Sequence, residues 1–262
     1  MQLTPDERQS RTWQPENLRL AVQLVKVNGY VVLESVLPPD LVTELHTHFM
    51  RVFEAYVART DANRGSNRYQ MHLPFRPPFI DPAVITNPFT LAIIDELLGS
   101  DCVCHYFASD TPMPGSDYQR VHADIHLLFP ETPLSLPAYS IVLNIPLVDF
   151  RDDNGPVEIW PGGTHFMPGG IDVQQLAPLM HSERVLMPAG SLLIRDMRMW
   201  HRGTPNRSDA ARPNLALIYS RHWLKTKYPP IGIPRETYHT LSDRAKQLFR
   251  LENIGGELTN AD

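Results

Sequence analysis

The sequence predicts a mainly β protein with flanking helices, its core a jelly roll with the helices packed outside. From residue 101 to about 223 the chain runs through short apolar or alternating stretches broken by Pro, Gly and Asp: CVCHYFA, QRVHADIHLLF, AYSIVLNIPLV, PVEIW, SLLIRDMRMW and NLALIYSRHW. This is the texture of strands and turns. No helical pattern separates these stretches, so the strands are expected to pair antiparallel in a sandwich or barrel. The third observation is that helical periodicity is confined to the two ends.

Taken in order, PENLRLAVQLVKVNG (15–29) places Leu18, Val22 and Val25 at helical spacing, with Gly29 as the stop. PDLVTELHTHFMRVFEAYV (39–57) repeats the pattern through Leu41, Leu45, Phe49, Val52, Phe53 and Tyr56. His46 and His48 in it are two apart, fall on different faces and make a poor metal pair. NPFTLAIIDELLG (87–99) is a third helix closed by Gly99. After the strands, RETYHTLSDRAKQLFRL reads as a last helix, about 235–251, covering a sheet edge. The whole chain, 1–262, is expected to be one domain: a helical part to about 100, a β core over about 101–223, and that C-terminal helix.

Composition narrows the function classes. A net charge of -5, with 24 Lys and Arg residues scattered along the chain, argues against a nucleic-acid surface and for a small-molecule substrate. No apolar run approaches the ~20 residues that span a bilayer, and MQLTPDERQS at the N-terminus is polar and mixed in charge, so a cytoplasmic protein with no membrane partner is expected. The only cysteines, Cys102 and Cys104, read as two core thiols on one face of a strand, not a disulfide framework. Nothing in the sequence sets the oligomeric state.

Candidate chemistry begins at YQRVHADIH (118–126). On a strand, His122, Asp124 and His126 face the same way, and imidazole with carboxylate suits Fe(II), Zn or Mn. Two ligands do not make a site. A third is available in MRMWHRGTPNRSDAARPNLALIYSR (197–221), where His201 ends an apolar strand and Arg212 opens the next, eleven positions on. A triad of His122, Asp124 and His201 leaves three metal positions open, as oxygen chemistry at iron requires for a chelating co-substrate and O2. Arg212 supplies a planar, charged fork for a carboxylate. His126 reads as a strand histidine satisfied by a neighbour, and His165, in PGGTHF, as structural.

Over most of its length the sequence resembles the phytanoyl-CoA dioxygenase family of Fe(II)/2-oxoglutarate oxygenases. The resemblance runs from VNGYVVLESVLPPDLVTEL through HAD and DDNGPVEIWPGGTH to MWHRGTPNRS and RPNLALIYSR. It implies a double-stranded β-helix core, a cupin-like variant of the jelly roll. It implies Fe(II) on His122, Asp124 and His201, with 2-oxoglutarate and O2 as co-substrates and Arg212 pairing the C5 carboxylate. Gln119 matches a position that contacts 2-oxoglutarate in several relatives. Members often carry a hydroxyl two residues after the distal histidine; here Gly203 stands there, and Thr204 is the nearest hydroxyl for the cofactor side. NRYQMHLPF (67–75) falls where relatives line the active site, making Arg68, Tyr69 and His72 candidate substrate contacts.

The implied reaction is decarboxylation of 2-oxoglutarate to succinate and CO2 coupled to oxidation, chiefly hydroxylation, of a substrate C–H bond, in secondary metabolism more than in acyl-CoA catabolism. Halogenating relatives replace the carboxylate with a small residue, so Asp124 predicts oxygen chemistry instead. Two other readings use the same ligands: a cupin-type metal hydrolase or isomerase without 2-oxoglutarate, and a non-catalytic metal-binding module. Arg212 discriminates against the first, which needs no buried guanidinium facing the metal, and the complete triad with its anchor argues against the second.

Overall fold

The computed structural model describes residues 1–132 and 136–256. Five of its helices begin on proline, whose fixed φ suits a first turn and whose missing N–H would go unpaired there anyway: α1 (Pro5–Ser10), α2 (Pro15–Asn28), α3 (Pro39–Val57), α4 (Pro82–Ile85) and α5 (Pro88–Leu98). Asn87 caps α5 by accepting from the N–H groups of Phe89 and Thr90. Gly29 ends α2 at φ 89, in the left-handed region, with its N–H on the Val25 carbonyl.

Among these helices run β1 (Tyr30–Leu33) and β2 (Arg68–His72). The core then follows as β3 (Val103–Pro112), β4 (Ser140–Pro146), β5 (Val157–Ile159), the short α6 (Val173–Leu176), β6 (Glu183–Arg184), β7 (Leu192–Asp196), β8 (His201–Gly203) and β9 (Asn214–Ser220). β10 (Gly232–Ile233), α7 (Arg235–Thr240), α8 (Asp243–Leu248) and β11 (Asn253–Ile254) complete it. Six strands pair antiparallel in the order β1-β7-β4-β9-β3-β2, and a second sheet has the order β6-β5-β8. Among the described residues no helix is long and apolar enough to cross a membrane.

Alternation along the central strands positions the site. Ile141, Leu143 and Ile145 of β4, Leu192 and Ile194 of β7, and Leu215, Leu217 and Tyr219 of β9 share one core with Leu45, Phe49 and Phe53 of α3 and with α5. The intervening residues, Val142, Asn144, Leu193, Arg195, Asn214, Ala216 and Ile218, face the other way and line a cleft with His201 and Gly203 of the small sheet. The site therefore lies between the sheets, on the side away from the helices. Truncating a buried anchor of the helical side such as Phe53 would cost about 3–5 kcal/mol. Cys102 and Cys104 belong to that helical side, free and buried, and burial raises both thiols, Cys102 to about 11.

Three expectations need correction. The first hundred residues are not only helical, because β1 and β2 form the two edges of the large sheet; their pairing, Tyr30 with Arg195 and Arg68 with Pro112, is too distant in sequence for local periodicity to reveal. QRVHADIHLLF is not a strand. His122 makes one bridge, to His201, and the chain then leaves the sheet as the Asp124 N–H reaches the Met197 carbonyl. β8 begins at His201 after a turn and offers no further edge. The final helix is split, since Leu241 is extended and Ser242 starts α8 afresh by accepting from the Ala245 N–H.

Candidate active site

His122 and His201 are brought together by reciprocal backbone hydrogen bonds of 3.0 and 2.9 Å, and Asp124 completes the group. His122 Nε2 lies 3.6 Å from Asp124 Oδ1, His201 Nε2 lies 3.4 Å from Asp124 Oδ2, and one donor atom from each residue falls within 4.8 Å of the others. Each ring points its other nitrogen at a backbone carbonyl, His122 Nδ1 at Arg120 (2.8 Å) and His201 Nδ1 at Met199 (3.0 Å). A carbonyl only accepts, so the proton sits on Nδ1 and both Nε2 lone pairs face the centre. Burial first, then the charge of Arg195, pushes His201 down to about 4 against the pull of Asp124. Burial opposes ionisation of Asp124, yet its charged surroundings, of which the Arg195 guanidinium at 2.6 Å persists when the imidazoles are neutral, hold its carboxyl well below the usual range. Near neutral pH the structure thus presents neutral His201 and ionised Asp124, the states metal ligation needs.

Arginines organise the rest of the cleft. Arg195 of β7 donates from Nη2 to Asp124 Oδ2 at 2.6 Å, leaving Oδ1 toward His122, and its Nε is buried without a partner among the described residues. Arg212 is buried, gives Nε and Nη2 to the Gly155 carbonyl at 3.1 and 2.7 Å, and lies 4.2 Å from the Phe150 ring centre. Burial, aided by Arg68, lowers its pKa to about 9, only partly countered by Asp110. Asp110 Oδ1 and Asn214 Oδ1 are also buried without hydrogen-bond partners among the described residues. The cleft therefore holds a desolvated cation, which favours an anionic guest, whereas the two unmatched oxygens are acceptors that call for a donor.

The model of the family described as phytanoyl-CoA dioxygenase matches residues 25–214, from α2 into β9, a span that holds His122, Asp124, His201 and Arg212. The chain belongs to the phytanoyl-CoA dioxygenase family. Relatives include the dioxygenase af480 of Aspergillus fumigatus, 26% identical over 93% of this chain and 81% of that protein. The dioxygenase cdmA of Talaromyces verruculosus is 30% identical over 87% of this chain and 81% of its own. This family member is accordingly an oxidoreductase. Its fold is also that of the epimerase SnoN in complex with Fe3+, α-ketoglutarate and nogalamycin RO, with a TM-score of 0.62 at 19% identity over 79% of this chain and 84% of that one. The shared fold is the double-stranded β-helix.

Against this phytanoyl-CoA dioxygenase fold, several expected contacts fall elsewhere. Thr204 does not face the cleft: its hydroxyl donates to the Pro156 carbonyl at 2.7 Å and is buried there. Gln119 does line the cleft, but its amide is engaged, accepting from the Gly203 N–H (2.9 Å) and donating to the Arg64 carbonyl (3.2 Å), so it fastens β8 in place. Arg68 is fully buried behind β8, on Asp110 and the Thr204 carbonyl, where a substrate would not meet it. A Cβ on residue 203 would stand 2.5 Å from the Arg68 guanidinium carbon, which is why glycine occupies that position here. Tyr69 points to the helical side, edge-on to Phe53, because alternation gives the cleft to its neighbour Gln70. His72 packs edge-on to Tyr106 and lines neither this cleft nor the cavity beside it. His126 is exposed and lines not this cleft but the cavity beside it, and His165 is held by the Lys26 carbonyl. The residues that sequence reasoning missed, Arg195, Asn144 and Asn214, share one signal: a polar side chain inside or opening an otherwise apolar strand, which burial tolerates only with a partner or a purpose.

Proposed function

We propose that this family member is an Fe(II)- and 2-oxoglutarate-dependent dioxygenase that hydroxylates a C–H bond of a small molecule, in secondary metabolism and in the cytoplasm. The observation that carries the reading is His122, Asp124 and His201 sharing one cleft with the buried Arg212, which has no ion-pair partner among the described residues. The residues present fit both groups. Two imidazoles and a carboxylate with donor atoms within 4.8 Å of one another suit non-heme iron, while the buried Arg212 cation lies in the same cleft for a carboxylate. A hydrolase or isomerase without 2-oxoglutarate would have no use for that cation. SnoN, of the same fold, is described with Fe3+ and α-ketoglutarate, and its natural-product ligand supports the secondary-metabolism part. Two free thiols suit a reducing compartment.

When bound, iron with 2-oxoglutarate supplies oxidation of the substrate coupled to release of succinate and CO2. The chain's part is positioning. His122, His201 and Asp124 would hold the metal; Arg195 keeps Asp124 turned so that one oxygen faces inward; Arg212 would clamp the C5 carboxylate through its fork. Val142, Leu193 and Ile218 give the cleft an apolar wall that excludes water. The test is anaerobic reconstitution with Fe(II) and 2-oxoglutarate. A weak visible charge-transfer band should appear, and succinate should form when air is admitted; metal uptake with neither would overturn the proposal.

A further inference from the structure

Beside the metal cleft, a second cavity of about 380 Å³ opens between Ile125–Leu128 on one side and Leu224–Tyr228 on the other, with Met197 and Ser140 beneath. Its size lies in the range of small-molecule sites, roughly 300–1,000 Å³. Asp124 and Tyr228 line both cavities, so the second opens directly beside a candidate metal ligand. The walls are largely apolar, from Ile125, Leu127, Leu128, Met197 and Leu224. The charges are one-sided: Lys225 and Lys227 stand exposed at the mouth, and Asp124 is the only acidic residue among the described lining, already paired with Arg195 at 2.6 Å. Tyr228 is held in an aromatic group, 4.8 Å from the Tyr106 ring and stacked at 5.8 Å on His105. It forms the partition between the two spaces.

We propose that this second cavity is the substrate subsite and that the substrate is amphipathic: an apolar body held between Ile125–Leu128 and Leu224–Tyr228, with one anionic group at Lys225 and Lys227. Tyr228 then sets how far the apolar body advances toward Asp124, and so which carbon is presented for oxidation. An uncharged body of the same shape fills the same walls but gains nothing from the lysines. The statement that the buried end is the reacting end rests on the oxygenase reading; the presence and charge preference of the subsite do not.

The probes are 8-anilinonaphthalene-1-sulfonate, an apolar ring system with one anionic group, and its uncharged counterpart N-phenyl-1-naphthylamine, titrated by fluorescence into the full chain. The sulfonate should bind with one equivalent and at least about tenfold more tightly than the neutral probe. In a Lys225→Glu/Lys227→Glu variant, both substitutions being at exposed positions, that preference should vanish, while Ile125→Asp should weaken both probes. Arg212→Leu should leave both unchanged, which separates this subsite from the 2-oxoglutarate assignment. Co(II) bound at the triad should quench the bound sulfonate, and His201→Ala should abolish quenching but not binding. Equal affinity for the two probes, or an affinity indifferent to the lysine and Ile125 changes, overturns the subsite. Binding without quenching in the Co(II)-loaded chain overturns its adjacency to the metal. A chain that binds the sulfonate as expected yet forms no succinate keeps the subsite and loses the oxygenase reading.

Discussion

At the scale of single residues, the site is decided by where charge is left without water. Arg212 is the clearest instance, a buried guanidinium whose described hydrogen bonds end on one carbonyl. Replacing it with Leu should weaken 2-oxoglutarate binding by about thirtyfold to several thousandfold, roughly 2–5 kcal/mol, because the C5 carboxylate would be buried unpaired. Arg212→Lys should recover only part, since an ammonium lacks the fork. An anaerobic titration with Fe(II) present measures both, and a change under about threefold would remove the arginine from the co-substrate site. Asp124→Gly should lose most oxidation activity, since two imidazoles alone bind Fe(II) less firmly; product assays on the parent should show no chlorinated product when chloride is supplied. His201 gives a pH signature. Its pKa is about 4 in the fold against 6.5 for the ordinary group, so the unfolded chain takes up the proton first as pH falls. The stability it contributes is complete above about pH 6.5 and is lost down to about pH 4, on the order of 3 kcal/mol in all. Urea unfolding of metal-free protein should show a steeper decline over this window for the parent than for His201→Gln; parallel curves would contradict the assignment.

At the scale of elements, β8 is a strand of only three residues with a large role. Its three residues supply His201, accept the bridge from His122 and are pinned by the Gln119 side chain. Gly203 gives the guanidinium of Arg68 room to lie against the strand. Gly203→Ala would place a methyl within 2.5 Å of that guanidinium, forcing Arg68 off Asp110 and the Thr204 carbonyl at a cost of about 1–3 kcal/mol. Urea unfolding measures the loss, and a variant as stable as the parent would show that Arg68 moves aside freely. The long helices explain why element reading succeeded where it did. α3 follows its apolar stripe from Pro39 to Val57 as the sequence predicts, and α2 and α5 end on Gly29 and Gly99, because helix formation and capping are local. β1, β2 and the departure of the chain after Asp124 depend on partners as much as 165 residues away, Tyr30 pairing with Arg195, and no local pattern encodes them.

At the scale of the whole molecule, ligands that bind only the folded site should stabilise the fold. With Fe(II) and 2-oxoglutarate each at about a hundred times its dissociation constant, each adds roughly 2.7 kcal/mol, and together they should raise the anaerobic unfolding temperature by on the order of 10 °C in a chain of this size. His201→Ala/Asp124→Gly should abolish the rise, and an equal rise in that variant would place the ligands elsewhere. From the sequence alone came the β core with helices outside, because alternation and helix stops are written along the chain, the family, through resemblance, and His122, Asp124, His201 and Arg212 as the proposed site, which the fold brings into one cleft. Only the tertiary structure decided which side chains those strands carry into the cleft. Arg195 beneath Asp124, Gly203 against Arg68, the loss of Thr204 to the Pro156 carbonyl and the turning of Tyr69 toward Phe53 all follow from which face of a strand is buried against what. That choice is made by packing between segments far apart in sequence, where a shift of one residue exchanges the two faces.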